Sequence, residues 1–304
     1  MEHIVIIGNG IAGVTAARHI RKNSDKKITL ISAESDAFFS RTALMYVYMG
    51  HMRWKDIQPY EEWFWDKNRL ERKNGYVERI DTRTKTLHFA EADTLDYDKL
   101  IIASGSTTQT FGWEGLDLKG VQGLVTKQDL EELEKNAPNK NICKRAVIIG
   151  GGLIGVELAE MLHTRGIPVT MLIRETGFWN GVLPNGEAGM ISRHILSHGI
   201  DLRHETNLDK ILDDGNGNVR GVLTEAGEEI ECQLVGITTG VKPKIDFLQD
   251  SGIETDKGVL VNRMLETNIS DVYAIGDCAQ QHEAIGLRKP VEAVWYTGRM
   301  MGEA

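Results

Sequence analysis

Short apolar runs along this chain repeatedly give way to a glycine-rich turn and then to a stretch with helical spacing of its apolar positions. Residues 4–7 read as a strand, 11–22 as a helix with alanines on its packing side, and 28–32 as a second strand, which together predict one βαβ unit. The pattern returns at 146–149, 153–165 and 169–173. Between the two units, residues 76–80 and 86–89 read as paired strands, 100–103 as a strand ending in Ser104-Gly105-Ser106, and 127–135 as a charged helix. Beyond the second unit, 213–218 is rich in turn residues, and 219–223 with 229–234 predict a hairpin around Glu225-Ala226-Gly227. Residues 272–275 predict one more short strand.

The two strand-to-helix turns carry the chemistry. Gly8-Asn9-Gly10-Ile11-Ala12-Gly13 and Gly150-Gly151-Gly152-Leu153-Ile154-Gly155 both read G-x-G-x-x-G, 142 residues apart. In that pattern the first glycine permits the tight turn, the second lets backbone approach a pyrophosphate, and the third lets helix pack on strand. The helix N-terminus adds unpaired N–H groups and partial positive charge. Two such turns in the right context imply two dinucleotide sites. Glu34, 21 residues past Gly13 at the tip of the second strand, is placed to accept hydrogen bonds from a ribose diol.

Composition narrows the class without naming a reaction. The 304 residues, 41% apolar and 26% charged, suit two domains of common size. The first strand begins at Ile4, which leaves no room for a signal or transit peptide, and no apolar stretch nears the roughly 20 residues that span a bilayer, so a cytoplasmic protein is expected. A net charge of −9 argues against nucleic acid as a partner. Cys143, Cys232 and Cys278 lie far apart with no C-x-x-C pair, so neither a disulfide framework nor a metal site is indicated. The aromatics Trp54, Tyr60, Trp63, Phe64 and Trp65 read as the packing side of a short helix over 61–68, with a stacking platform as the alternative.

Taken together these residues resemble the two-dinucleotide-binding-domain flavoproteins, the pyridine nucleotide–disulfide oxidoreductase superfamily, over nearly the whole chain. The residues 97–106, ending Ala103-Ser104-Gly105-Ser106, are similar to that family's first crossing between domains, and Thr239-Gly240-Val241-Lys242-Pro243 to its second. The most specific resemblance is the run 267–277, ending Ala274-Ile275-Gly276-Asp277, where the family's final aspartate binds the flavin's ribityl chain. The resemblance implies an α/β fold of two Rossmann-like three-layer domains, the second inserted in the first, with 1–114 and 241–304 binding FAD and 115–240 binding NAD(P). It implies FAD contacts from Gly8, Gly10, Ile11, Ala12, Gly13, Glu34, Arg41, Ala103, Ser104, Gly105, Gly276 and Asp277, with Glu292 and Trp295 from the run that closes the flavin pocket. It implies NAD(P)H contacts from Gly150, Gly152, Leu153, Ile154, Gly155, Arg174 and Gly240, with Glu157 near the nicotinamide as a positioning residue.

Two departures shape the expected activity. Ile173 takes the slot of the acid that selects an unphosphorylated ribose, and Arg174 follows, which points to NADPH. Glu175, the lack of a second nearby arginine and the retained Gly155 point to NADH. The relay cysteine of disulfide- and peroxide-reducing members is absent. Arg41 stands nearest its position, in a Ser40-Arg41-Thr42 stretch similar to the S-R-P of the rubredoxin, ferredoxin and nitrite-reductase-flavin-domain branch with proline replaced. The expectation is therefore an FAD-dependent NAD(P)H:acceptor oxidoreductase passing electrons to a redox protein or quinone, as a homodimer or as the flavin subunit of a larger reductase. The alternative is an FAD-binding signalling or scaffold module without turnover.

Overall fold

The computed structural model describes residues 1–284, 286 and 288–304. Its helices are α1 (Ile11–Asn23), α2 (Leu44–Tyr48), α3 (Glu62–Lys67), α4 (Lys127–Asn136), α5 (Leu153–Thr164), α6 (Asn185–Ser197) and α7 (Trp295–Glu303). The chain forms two compact units, one of Met1–Ser40, Trp54–Thr107 and Lys242–Ala304, the other of Arg41–Arg53 and Thr108–Val241.

The first unit is built on a parallel sheet in the order Val272–Ala274, Lys99–Ile102, His3–Ile7, Lys27–Ser32, Glu71–Asn74. Because successive strand residues face opposite sides, Ile4 and Ile6 pack with Ala12, Val14, Ala16 and Ala17 of α1, while Val5 and Ile7 pack with Val77, Ile80, Leu87 and Phe89 of an antiparallel sheet. Both faces of residues 4–7 are covered, which is why they read as an unbroken apolar run. Trp65 is buried in the α1 layer with Tyr60 and Phe64 against it, as the pattern predicts, whereas Trp63 of the same helix is exposed and does not join the packing side.

The second unit repeats the plan. Its parallel sheet runs Asp201–Arg203, Val169–Leu172, Ala146–Ile149, Leu234–Ile237, Val121–Gln122, and a three-stranded antiparallel sheet, Leu208–Asp213, Val219–Thr224 and Glu229–Glu231, shares its core. The expected hairpin strand 229–234 is in fact two elements. It stops at Glu231, and Leu234 opens a central strand of the parallel sheet, because Gln233 N–H turns to the Arg145 carbonyl at 3.0 Å.

The expected crossing at 114 falls earlier, between Thr107 and Thr108, and the return lies between Val241 and Lys242. Gln109 N–H donates to Gly240 O at 2.9 Å, Thr239 Oγ1 to Gln109 O at 2.8 Å and Ile211 N–H to Glu114 O at 2.9 Å, so residues 109–114 are hydrogen-bonded into the second unit. Among the described residues no helix is long and apolar enough to cross a membrane.

Candidate functional site

In the first unit, four separated segments meet around the N-terminus of α1. Gly8 has φ +115°, and a Cβ there would lie 2.1 Å from the Ala103 carbonyl, so glycine is required where the turn passes the end of the 99–102 strand. A Cβ on Gly13 would lie 2.0 Å from Gly8 O, which is the close helix–strand approach expected of a third glycine. Gly10 differs: its φ is −73° and nothing stands within 4 Å of a Cβ. Helix α1 starts there with no side-chain cap and no acid in its first turn.

The other segments converge on the same spot. Asn9 Nδ2 donates to Ser35 O at 2.7 Å, tying the glycine turn to the loop that carries Glu34. Ser104 Oγ donates to Lys244 O at 2.7 Å and Lys244 N–H to Gly105 O at 3.0 Å, which fixes the Ala103–Gly105 turn. Gly276, at φ +74°, brings the chain close enough for a Cβ to touch the Ala12 methyl at 3.0 Å, and next to it Asp277 Oδ2 accepts from Ser106 Oγ at 3.0 Å. Helix α7 packs on α1 through two buried glycines; a Cβ on Gly298 would stand 3.6 Å from Ile11 and one on Gly302 2.5 Å from Ala12 O. Its first residue, Trp295, is partly exposed, and Glu292 accepts from Thr297 Oγ1 at 3.3 Å.

Positive helix end, open backbone and a half-buried carboxylate at the far end of the same strip fit a molecule with a diphosphate and a polyol, which is what FAD presents to a protein. Arg41 belongs to the second unit, where its Nη1 donates to the Val125 carbonyl.

The second unit presents the same cradle at α5. Gly150 has φ +112° and a Cβ would meet Thr238 O at 2.7 Å; one on Gly155 would meet Gly150 O at 2.6 Å; one on Gly152 meets nothing nearer than 3.9 Å. Thr238 Oγ1 braces the turn by donating to Ile149 O at 2.9 Å. Helix α5 is likewise uncapped, Leu153 at its start is 60% exposed, and Gly240 at φ +110° leaves open backbone beside this turn's neighbour Thr239. Ile154 is half-buried. Glu157, on the same helix, has its carboxyl held above the usual range by burial and then by the neighbouring Glu160. Arg174 is exposed just past the Val169–Leu172 strand and pairs with Glu175 at 2.8 Å.

The cysteines are unpaired and buried. Burial pushes the Cys143 thiol up to about 11 and Cys232 to about 12, and Cys278 is also raised. A thiolate is the species that attacks in thiol exchange, so none of the three is poised for it.

Several known proteins are similar to this chain. The chain is 30% identical over 295 residues to the nitrite reductase [NAD(P)H] of Bacillus subtilis (strain 168), an alignment covering 95% of this chain and 36% of that protein. It is 30% identical over 281 residues to the rhodocoxin reductase of Rhodococcus erythropolis, covering 91% of this chain and 64% of the relative. The chain thus spans less than two thirds of either. Among solved structures, a ferredoxin reductase from Rhodopseudomonas palustris superposes with a TM-score of 0.91 at 23% identity, over all of this chain and 74% of that one, which shows the fold. The pyridine nucleotide-disulphide oxidoreductase model matches residues 2–302, and the chain belongs to that family.

Proposed function

We propose that this chain is a cytoplasmic FAD-dependent NAD(P)H oxidoreductase that takes hydride from the nicotinamide and passes electrons to a redox protein. The observation that carries the reading is the pair of uncapped helix N-termini, α1 and α5, each opened by a glycine whose Cβ would meet no protein atom nearer than 3.9 Å, with Asp277 beside the first. When bound, FAD supplies the N5 position that accepts hydride and the capacity to release electrons singly. Around it, Gly8 to Gly13 would hold the diphosphate, Glu34 the ribose, and Asp277, oriented by Ser106, the ribityl hydroxyls. Gly150 to Gly155 would hold the nicotinamide dinucleotide, and Glu157, its carboxyl disfavoured as an anion by burial, would position the ring.

The acceptor class follows from the thiols. With three buried, raised thiols and Arg41 in place of a relay cysteine, electrons would leave without a disulfide step. That supports an external carrier, as the name rhodocoxin reductase describes for one relative. The 36% span of the nitrite reductase favours a second reading, a flavin subunit within a larger reductase. Anaerobic stopped-flow mixing of the FAD-loaded protein with NADH and with NADPH tests the reading: one or both should bleach the flavin, and a rubredoxin or [2Fe–2S] ferredoxin should restore its colour. A flavin that neither nucleotide bleaches overturns it.

For the donor, we propose that Arg174 pairs with the 2′-phosphate of NADPH, in competition with Glu175. Arg174→Ala should raise KM for NADPH about tenfold, the equivalent of about 1.4 kcal/mol, and leave NADH almost unchanged. Glu175→Ala should move KM for NADPH the other way, because the guanidinium loses its 2.8 Å partner. Steady-state kinetics with both nucleotides decide this, and equal shifts for the two would remove Arg174 from the phosphate.

A further inference from the structure

The contacts around the proposed flavin strip close into a ring whose last link is Lys244. A Cβ on Gly8 would stand 3.4 Å from Ser104 N, so the glycine turn touches the 103–105 turn. On the other side Asn9 Nδ2 donates to Ser35 O at 2.7 Å, and the amides of Glu34 and Ser35 donate to Ser32 Oγ at 3.2 and 3.3 Å. Ser32 O accepts in turn from Gly75 N–H at 3.1 Å, which sets Tyr76 just past the edge strand Glu71–Asn74. The Lys244 ammonium lies 5.4 Å from the centre of the Tyr76 ring. Its backbone returns the ring to its start, accepting from Ser104 Oγ at 2.7 Å and donating to Gly105 O at 3.0 Å. Every residue of this circuit belongs to the first unit.

The charges along the strip call for a cation. Glu34 and Asp277 are carboxylates, a diphosphate is doubly charged, and the start of α1 offers the equivalent of only about half a positive charge. Lys244 is half-buried, and among the described residues no carboxylate pairs with it. Tyr76 is 44% exposed, and its ring holds the ammonium within the roughly 6 Å over which a cation is attracted to an aromatic face. That contact restrains a flexible four-carbon stem, so part of its rotamer freedom is already lost before a ligand arrives. We propose that Lys244 is a further FAD-binding residue, its ammonium supplying positive charge to the diphosphate and Tyr76 holding it in place; this rests on the function proposed above. Because oxidised flavin is uncharged, the lysine should act on affinity through the diphosphate, and its effect should weaken as salt screens the pair.

The test titrates oxidised FAD into the apoproteins of parent, Lys244→Met, Lys244→Arg and Tyr76→Leu, at about 0.05 M and about 0.5 M salt. Lys244→Met keeps the apolar stem and removes the charge. Its dissociation constant for FAD should rise about tenfold at the lower salt and about threefold or less at the higher. Lys244→Arg keeps both the charge and the ring contact and should stay within about threefold of the parent. Tyr76→Leu keeps the charge but frees the stem, and should fall between parent and Lys244→Met. The melting temperatures of the four apoproteins should coincide. A Lys244→Met protein that binds FAD like the parent at both salt concentrations overturns the proposal alone. So does a loss of affinity that salt leaves unchanged and that accompanies a lower apoprotein melting temperature, which marks a merely structural role. A parent that binds no FAD overturns the functional reading and this proposal together.

Discussion

Gly10→Ala should fold as the parent does and yet bind FAD about a hundredfold more weakly, a loss of about 2.8 kcal/mol. At φ −73° and ψ −174° the residue sits where any amino acid can, and its Cβ would meet no protein atom within 4 Å. In the apoprotein the change is therefore neutral or stabilising, by up to about 1 kcal/mol through the unfolded chain's entropy. The same empty space is where a diphosphate must approach the N–H groups of α1, and a methyl there keeps it away. Gly13→Val is the opposite case. Its Cβ would fall 2.0 Å from the Gly8 carbonyl, one backbone atom against another with no flexible side chain to yield, so the strand–turn–helix unit must open. A loss of at least about 3 kcal/mol is expected, a large share of the roughly 5–15 kcal/mol that holds a typical domain together. Thermal unfolding of the apoproteins with FAD titration followed by flavin fluorescence separates the two. A Gly10→Ala protein that binds FAD like the parent would mean that this turn holds no diphosphate.

That contrast also marks what the sequence could reveal. The two strand–turn–helix units were legible because every constraint on them is local: the sheet buries both faces of residues 4–7 and 146–149, and the glycines sit next to the backbone they must clear. Asp277 was legible through its motif, and the structure adds Ser106, 171 residues away, as its hydrogen-bond donor. The allegiance of Arg41–Arg53 was not, since it rests on Tyr48 reaching Ala137 across 89 residues and Arg165 reaching Tyr48 across 117. Nothing local to the excursion encodes those partners. The Gln109–Gly240 hydrogen bond, across 131 residues of sequence, is equally invisible to composition. Helix α6 escaped notice because Gly186 and Gly189 dilute its propensity and Pro184 at its N-cap position gives no side-chain cap.

Asp277→Ala should leave the purified protein pale. A carboxylate bonded to ribityl hydroxyls contributes about 1.5–3 kcal/mol, so FAD affinity should fall about tenfold to a hundredfold. Because bound FAD stabilises the folded state by mass action, the melting temperature measured with excess FAD should drop toward that of the apoprotein. The apoprotein itself should change little: Asp277 is only half-buried, and the hydroxyl of Ser106 that loses its acceptor is half-buried too and open to water. Asp277→Asn keeps an oxygen for Ser106 and for a hydroxyl while removing the charge, and should lie between parent and Asp277→Ala in colour and in melting temperature. The order parent, Asn, Ala in FAD content, with apoprotein melting temperatures that coincide, assigns the effect to the ligand. If Asp277→Ala is instead as yellow and as heat-stable as its parent, the ribityl chain does not run past this residue, and the strip from Gly8 to Asp277 must be oriented on FAD in some other way.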